Sequence, residues 1–410
     1  MLQNGGRVLG LNWVEYLSRA FYMVVLARYL GAELYGHWAY GVAVYAMLIG
    51  LTGAGFDTLM SIRIGAEKAN AGRILGIALG LRLAGFTAAV VLLVGYALAW
   101  ETDPLSRVVL LALVPALVGR GVAFWARACF VAFERTREYL YRAAGFRLGE
   151  VALGTAWILS GGGLAGVVAI HSLMWMAEGA VGLVAVHNRL GRLRPVLRGP
   201  GVRAFFQQGA VLSLAAAAQA WLQAGPVVLT RYVIGDMTAL GQVALVLNVM
   251  TMVVASLGSF AGATVPVLSR LYDRGDPRLR HYGLLSLLAI ATAALAAAGL
   301  GWFAGPPVAA WLLGPQYADA GRMVGPAMLV AGLVLAPTGY VQLLILAGRR
   351  WVQVVAGITG SLALIVAVPV AVATVGDMGA VLAAGIGWGV RAAVLIGWGM
   401  VALPSRKTVE

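Results

Sequence analysis

The chain has 410 residues, of which 61% are hydrophobic and only 11% are charged. That is less than half the roughly 25% charge of an ordinary soluble domain, and it excludes one. A formal net charge of +14 raises the question of nucleic acid, but no stretch combines basic residues with the soluble fold such a module needs; the excess fits basic loops flanking membrane spans, and no nucleic-acid partner is expected.

In chain order, apolar runs of about 20 residues, the length that crosses a bilayer core of roughly 30 Å, recur from one end to the other. They predict twelve transmembrane helices over residues 8–28, 37–58, 74–99, 107–132, 144–161, 164–186, 206–231, 239–265, 283–304, 322–346, 352–374 and 379–402. The expected fold class is therefore an all-α polytopic membrane protein. Of the 30 basic residues, two thirds fall in one alternate set of gaps and termini, with the densest group at Arg189, Arg192, Arg194, Arg198 and Arg203; the opposite set holds only Arg28, Arg107, Arg231 and Arg322. The positive-inside rule then puts both termini in the cytoplasm of a cell inner membrane. Trp38, Tyr40, Trp100, Trp302, Trp311 and Tyr317 lie near the opposite face, where an aromatic belt belongs.

The two halves echo each other. VVLARYL (Val24 to Leu30) returns as VVLTRYV (Val227 to Val233), and GLAGVV (Gly163 to Val168) lines up with GDMGAV (Gly376 to Val381), the same offset pairing Trp175 with Trp388 and Glu178 with Arg391. Such a duplication predicts two six-helix bundles related by a pseudo-twofold axis along the membrane normal, with a site expected between the halves. The expected organisation is an N-terminal bundle over 1–190, a basic cytoplasmic linker over 191–205, a C-terminal bundle over 206–403 and a cytoplasmic tail over 404–410.

Charge inside a span is expensive, at about 2.5–3.5 kcal/mol for an arginine at a helix centre, so a buried charge marks a cavity or a partner. At about 1.5 Å of rise per residue, Arg19, Arg120 and Arg391 fall near the midplane and Glu178 just inward of it. Arg82, Arg127 and Arg147 come out closer to the cytoplasmic mouth, where a long side chain can snorkel to water. Asn12, Glu15 and Arg19 form one polar stripe on the first helix, and Glu15 can pair with Arg19 four residues on. His171, Trp175 and Glu178 make a second stripe; Gln208, Gln219 and Gln223 share a face of the seventh helix, and Asn248 stands on the eighth. Cations thus gather in the first half and amides in the second, a division that suits a substrate with an anionic group and a polar, uncharged body. The lone Cys129 and four scattered histidines offer no disulfide and no metal-ligand spacing, so no cofactor or metal is expected.

The segment SRAFYMVVLARYLGAELYGHWAYGVAV (Ser18 to Val44), followed by GAGFDTLMSIRIGAE (Gly53 to Glu67), resembles the start of Wzx-type oligosaccharide flippases, the O-antigen and exopolysaccharide transporters of the multidrug/oligosaccharidyl-lipid/polysaccharide (MOP) exporter superfamily. CFVAFERTREYLYRAAGFRLGE (Cys129 to Glu150) and ILAGRRWVQVVAGITG (Ile345 to Gly360) fit the same family in the same order. By this resemblance Arg19 matches a helix-1 arginine that lines the cavity in the peptidoglycan-precursor branch, and Arg63 an arginine ending helix 2 in the polysaccharide branch. What it implies is translocation of an undecaprenyl-diphosphate-linked oligosaccharide from the cytoplasmic to the periplasmic leaflet, by a protein that is not an enzyme. Membrane lipids, and the polysaccharide polymerase and export proteins, would be its partners. Two other readings stand beside it. A cation-coupled multidrug exporter of the same fold would need a mid-membrane carboxylate to attract its substrate or ion, for which Glu15 or Glu178 would serve, although the excess of arginine argues against cationic drugs; a membrane glycosyltransferase or polymerase would need a sizeable extramembrane loop.

Overall fold

The computed structural model describes residues 2–66, 70–191, 194–274, 276 and 278–402; within these, only the backbone is described at 2–12, 14, 54, 66, 259–267, 269, 273, 280 and 402. Among the described residues fourteen α-helices follow one another: α1 (Leu2–Leu51), α2 (Ala54–Ala66), α3 (Ala71–Ala99), α4 (Pro104–Ala112), α5 (Val114–Ala132), α6 (Thr136–Leu159), α7 (Leu164–Leu190), α8 (Pro200–Ile234), α9 (Met237–Asp273), α10 (Arg278–Leu313), α11 (Ala318–Leu335), α12 (Thr338–Leu346), α13 (Trp351–Val375) and α14 (Met378–Ala402). Each of the twelve predicted spans has its counterpart. The first two are the arms of α1 on either side of Gly31, whose φ of 78° and ψ of 169° break the helix; an L side chain rarely adopts that φ, so glycine suits the turn. The second of these spans continues into α2, the fourth is α4 plus α5, and the tenth is α11 plus α12. Proline explains the last two breaks: Pro115 stands in the first turn of α5, and Pro337 is the residue from which α12 starts.

Among the described residues, ten stretches are long and apolar enough to cross a membrane, the two arms of α1 counting as one. The helix α6 is not among them, because Arg147 and Glu150 interrupt its apolar run. Aspartates cap two of the helices that start on the acidic side of the predicted topology. Asp103 accepts from the Ser106 N–H at 2.7 Å ahead of α4, and Asp236 from the Thr238 N–H at 2.9 Å ahead of α9.

The chain divides into two compact units, Met1–Ala224 and Gly225–Glu410, so the boundary falls inside α8. In the first unit a continuous apolar core joins α2, α3, α5 and α7 around Met60, Leu75, Trp125, Phe130 and Val186. Helices α5 and α7 approach closely where two glycines meet: a Cβ on Gly119 would lie 2.5 Å from the backbone of Trp175 and Met176, and one on Gly179 would lie 2.6 Å from the Gly119 carbonyl oxygen. In the second unit the cores are smaller, one around Leu279, Tyr340 and Leu343 and another around Leu344, Val352, Ala356 and Leu395.

Two outcomes follow. Gly119→Val forces α5 off α7 and should lower the melting temperature of the purified protein, at a cost of about 1–3 kcal/mol or more, while Gly145→Ala, whose Cβ meets nothing within 4 Å, should not. At the turn between α13 and α14, partial burial, with the charges of Asp236 and Asp319 nearby, raises the Asp377 carboxyl above the ordinary carboxylate value. The folded state therefore holds that proton more tightly than the unfolded chain, a stabilisation present at low pH and lost as pH rises through the folded value. Asp377→Asn should raise the melting temperature at pH 7, and the difference from wild type should vanish as the pH drops below the carboxylate range.

Candidate functional site

The Arg147 side chain stands in the middle of α6, about 16 Å along the helix from Thr136. It is only 3% exposed and lies between two carboxylates: its Nη1 meets Glu150, three residues on, and its Nη2 donates to Glu178 Oε2 on α7 at 2.8 Å. Its guanidinium carbon sits 3.6 Å from the centre of the Trp175 ring, a stacking that suits the planar, weakly hydrated cation. Tyr139 donates its hydroxyl to Glu178 Oε1 at 2.8 Å. On the other side, Glu150 Oε1 pairs with His171 Nδ1, and His171 Nε2 shares a hydrogen bond of 2.8 Å with the Tyr45 hydroxyl. Arg120 Nη1 then donates to that same hydroxyl at 2.9 Å. One polar chain thus runs Arg120–Tyr45–His171–Glu150–Arg147–Glu178–Tyr139 through α5, α1, α7 and α6, entirely within the first unit.

The cations of this chain are not equally neutralised. Arg147 faces two glutamates. Arg120 faces aromatic rings, its guanidinium carbon lying 5.1 Å from the ring centre of Trp175, 5.2 Å from Phe124 and 5.5 Å from Tyr45. Its Nε is buried without a hydrogen-bond partner, and no carboxylate pairs with it among the described residues. Arg19 Nη2 reaches Glu15 Oε1 at 3.0 Å, with its side chain 33% exposed, and it stands within electrostatic range of Glu150 and Glu178.

Four expected site residues, Glu15, Arg19, Arg120 and Glu178, therefore lie in or near this polar chain. Arg63 belongs to a separate contact, donating from Nη2 to Gln208 Oε1 where α2 meets α8. Gln219 and Gln223 are exposed on α8, still within the first unit, and the half-buried Asn248 belongs to the second. Arg391, also in the second unit, is 8% exposed and lies 5.1 Å from the centre of the Trp388 ring. The Asn12 side chain lies outside the described residues.

Two arginines expected to snorkel do not. Arg147 is drawn inward by Glu150 and Glu178, which pair with it, and by the Trp175 ring on which it stacks. Arg82 is 1% exposed: its Nη1 spans both oxygens of Asp57 at 2.6 Å, and its Nη2 donates to the Gly121 carbonyl at 3.0 Å, tying α2, α3 and α5 together. Tyr45 and Glu150 were not expected at the site. The i,i+3 spacing of Arg147 and Glu150 within GFRLGE was the available signal; Tyr45 carries none, since its partners lie 75 and 126 residues away.

Asp57→Ala should destabilise the protein by about 3–5 kcal/mol, because it strands a buried charge, whereas the double variant Asp57→Ala/Arg82→Met should recover much of that loss. Equal melting temperatures for the single and double variants would show that Arg82 is already solvated by its carbonyl contacts.

Over residues 1–272 the sequence matches the family described as Polysaccharide biosynthesis protein. No curated protein matches the chain in sequence. In three dimensions it is similar to a multidrug resistance MATE family transporter of the MOP superfamily in its inward-facing conformation, with a TM-score of 0.72, 15% identity, and 97% of this chain and 96% of that one covered. It is also similar to the lipid II flippase MurJ in an inward closed conformation, with a TM-score of 0.70, 14% identity, and coverage of 95% and 86%. A MOP superfamily transporter from Pyrococcus furiosus, for which a binding pocket of reverse polarity is described, has a TM-score of 0.59, 13% identity, and coverage of 97% and 95%. At these identities the likeness speaks for the fold. With the family matched over well more than half of its length, the chain belongs to the polysaccharide biosynthesis protein family, and its ten long apolar stretches among the described residues make it a multi-pass membrane protein.

Proposed function

We propose that the protein is a flippase that carries an undecaprenyl-diphosphate-linked oligosaccharide from the cytoplasmic to the periplasmic leaflet of the inner membrane, with both termini cytoplasmic. The observation that carries this reading is the electrostatic imbalance at Arg120. Arg19, Arg82 and Arg147 each have a carboxylate within salt-bridge distance. Arg120 has aromatic faces and one phenolic oxygen instead. Ring faces hold a guanidinium in place without cancelling its charge, so Arg120 keeps its affinity for an anion such as a diphosphate.

Arg19 acts with it, its charge offset by Glu15 but its side chain still partly exposed. Sugar hydroxyls left unpaired in hydrocarbon cost several kcal/mol each, so the glycan needs polar lining. In the first unit the exposed Gln219 and Gln223 with Arg63, and in the second Asn248 and Arg391, are the residues to which we assign that contact. Alternating exposure of the site to the two leaflets moves the headgroup, and an inside-negative potential favours outward movement by about 2.3 kcal/mol per charge per 100 mV. Positioning and desolvation do the work; no bond is made or broken, and no cofactor takes part. The polysaccharide polymerase and export proteins are the partners downstream.

The multidrug reading finds less support, because Glu15 and Glu178, the carboxylates that a cationic substrate would seek, are each engaged by an arginine. A glycosyltransferase reading finds less again: the longest connection between described helices, 191–199, is too short to carry a catalytic domain.

In cells lacking the native gene copy, Arg120→Gln should cut surface glycan at least tenfold, the factor that losing one charge-assisted hydrogen bond implies, with unchanged protein abundance. Arg120→Lys should restore part of it, and Arg19→Ala should act in the same direction. Wild-type glycan levels in Arg120→Gln would remove that residue from the transport step.

A further inference from the structure

The connection from α7 to α8 is not a free hinge. Its residues 194–198 lie along α3 as a strap: the Val196 N–H donates to the Gly76 carbonyl at 2.9 Å, and the strap backbone rests in a notch made by two glycines one turn apart. A Cβ on Gly76 would lie 2.4 Å from the Arg194 carbonyl oxygen, and one on Gly80 would lie 2.3 Å from that of Val196. Val196 and, beyond it, Val202 pack against the core of the first unit. Fixing the backbone in this way decides which side chains point outward. Arg194, Arg198 and Arg203 are exposed, as is Arg73 on the first turn of α3. Leu197, next to Arg198, and Phe206, three residues past Arg203, are 61% and 51% exposed, the latter with its ring 5.9 Å from that of Phe56.

These arginines differ from the basic residues next to them. Arg135 and Arg189 share the carboxylate of Glu138. Among the described residues Arg73, Arg194, Arg198 and Arg203 have no acidic partner. The strap joins the end of one spanning helix to the start of the next, on the face that the predicted topology turns toward the cytoplasmic headgroups. Unneutralised guanidinium groups interleaved with an exposed leucine and phenylalanine match the two layers of that region, phosphates outside and acyl chains just beneath.

We infer that the strap together with the start of α8, residues 194–206, is a docking surface for anionic phospholipid headgroups, with Arg194, Arg198 and Arg203 on the phosphates and Leu197 and Phe206 toward the acyl boundary. Its test uses the full-length protein in nanodiscs of neutral phosphatidylcholine, into which phosphatidylglycerol is titrated. Phosphatidylglycerol should raise the melting temperature of the wild type by several degrees, and 0.5 M salt should reduce that gain by screening. The triple variant Arg194→Gln/Arg198→Gln/Arg203→Gln should keep less than half of the gain, and Arg322→Gln, exposed on the opposite predicted face, should keep all of it. Folding of the triple variant is checked by its melting temperature in neutral lipid, which should equal that of wild type because the three side chains are exposed. An undiminished lipid response in the triple variant would overturn the inference. So would equal stabilisation of the wild type by inorganic diphosphate in neutral lipid, which would point to a phosphate site in place of a lipid surface.

Discussion

A guanidinium in the middle of a membrane helix must be answered, and the first unit is organised around the answer to Arg147. Two glutamates from α6 and α7 neutralise it, the Trp175 ring covers its face, and Tyr139 and His171 satisfy the remaining carboxylate oxygens. Each of these groups would be costly alone in a medium of low dielectric constant, and each is tolerable because the others are present. The close approach of α5 and α7 at Gly119 and Gly179 belongs to the same arrangement, since the Gly119 contact is to the backbone of Trp175 itself. Packing and electrostatics meet at one tryptophan, with Arg147 at 3.6 Å and Arg120 at 5.1 Å from the centre of its ring.

That arrangement leaves Arg120 in an unusual position. Its neighbour has already claimed the carboxylates, so what holds it is a set of ring faces and a phenol whose own hydrogen bond leads to His171 and Glu150. The polar chain therefore does two things with one set of contacts. It buries the charge of Arg147 safely and fixes the orientation of Arg120, whose charge stays available. A second arginine–carboxylate pair at that position would be as stable and would have nothing left for a ligand.

The span pattern, the all-helical class and the existence of mid-membrane charge were legible in the residues because they depend on local composition and on a helical repeat. The Glu15–Arg19 pair was legible for the same reason: it is four residues long. The pairings of Arg147 with Glu178 and of Arg82 with Asp57 were not, because their partners lie 31 and 25 residues away and only the packing of neighbouring helices brings them together. Nor was the burial of Arg147 legible: its second counter-charge is Glu178 on another helix, which no local spacing in TREYLYRAAGFRLGE announces.

The position that the sequence echo matches in the second half is arranged differently. Trp175 and Glu178 correspond in sequence to Trp388 and Arg391. In the first unit the ring receives an arginine from a neighbouring helix and the residue three positions on supplies its counter-charge. In the second, the residue three positions on is itself the arginine, and it lies over the ring of its own helix at 5.1 Å. The cation over a tryptophan persists, but the carboxylate is gone, and among the described residues no acidic group replaces it. A charge change of two at one repeat position cannot be neutral in a membrane interior: it either costs stability or is held for a ligand. Because Arg391 remains only 8% exposed yet unpaired among those residues, the second half carries a buried positive charge with ring contact alone to offset it, the same balance that distinguishes Arg120 from Arg147 in the first.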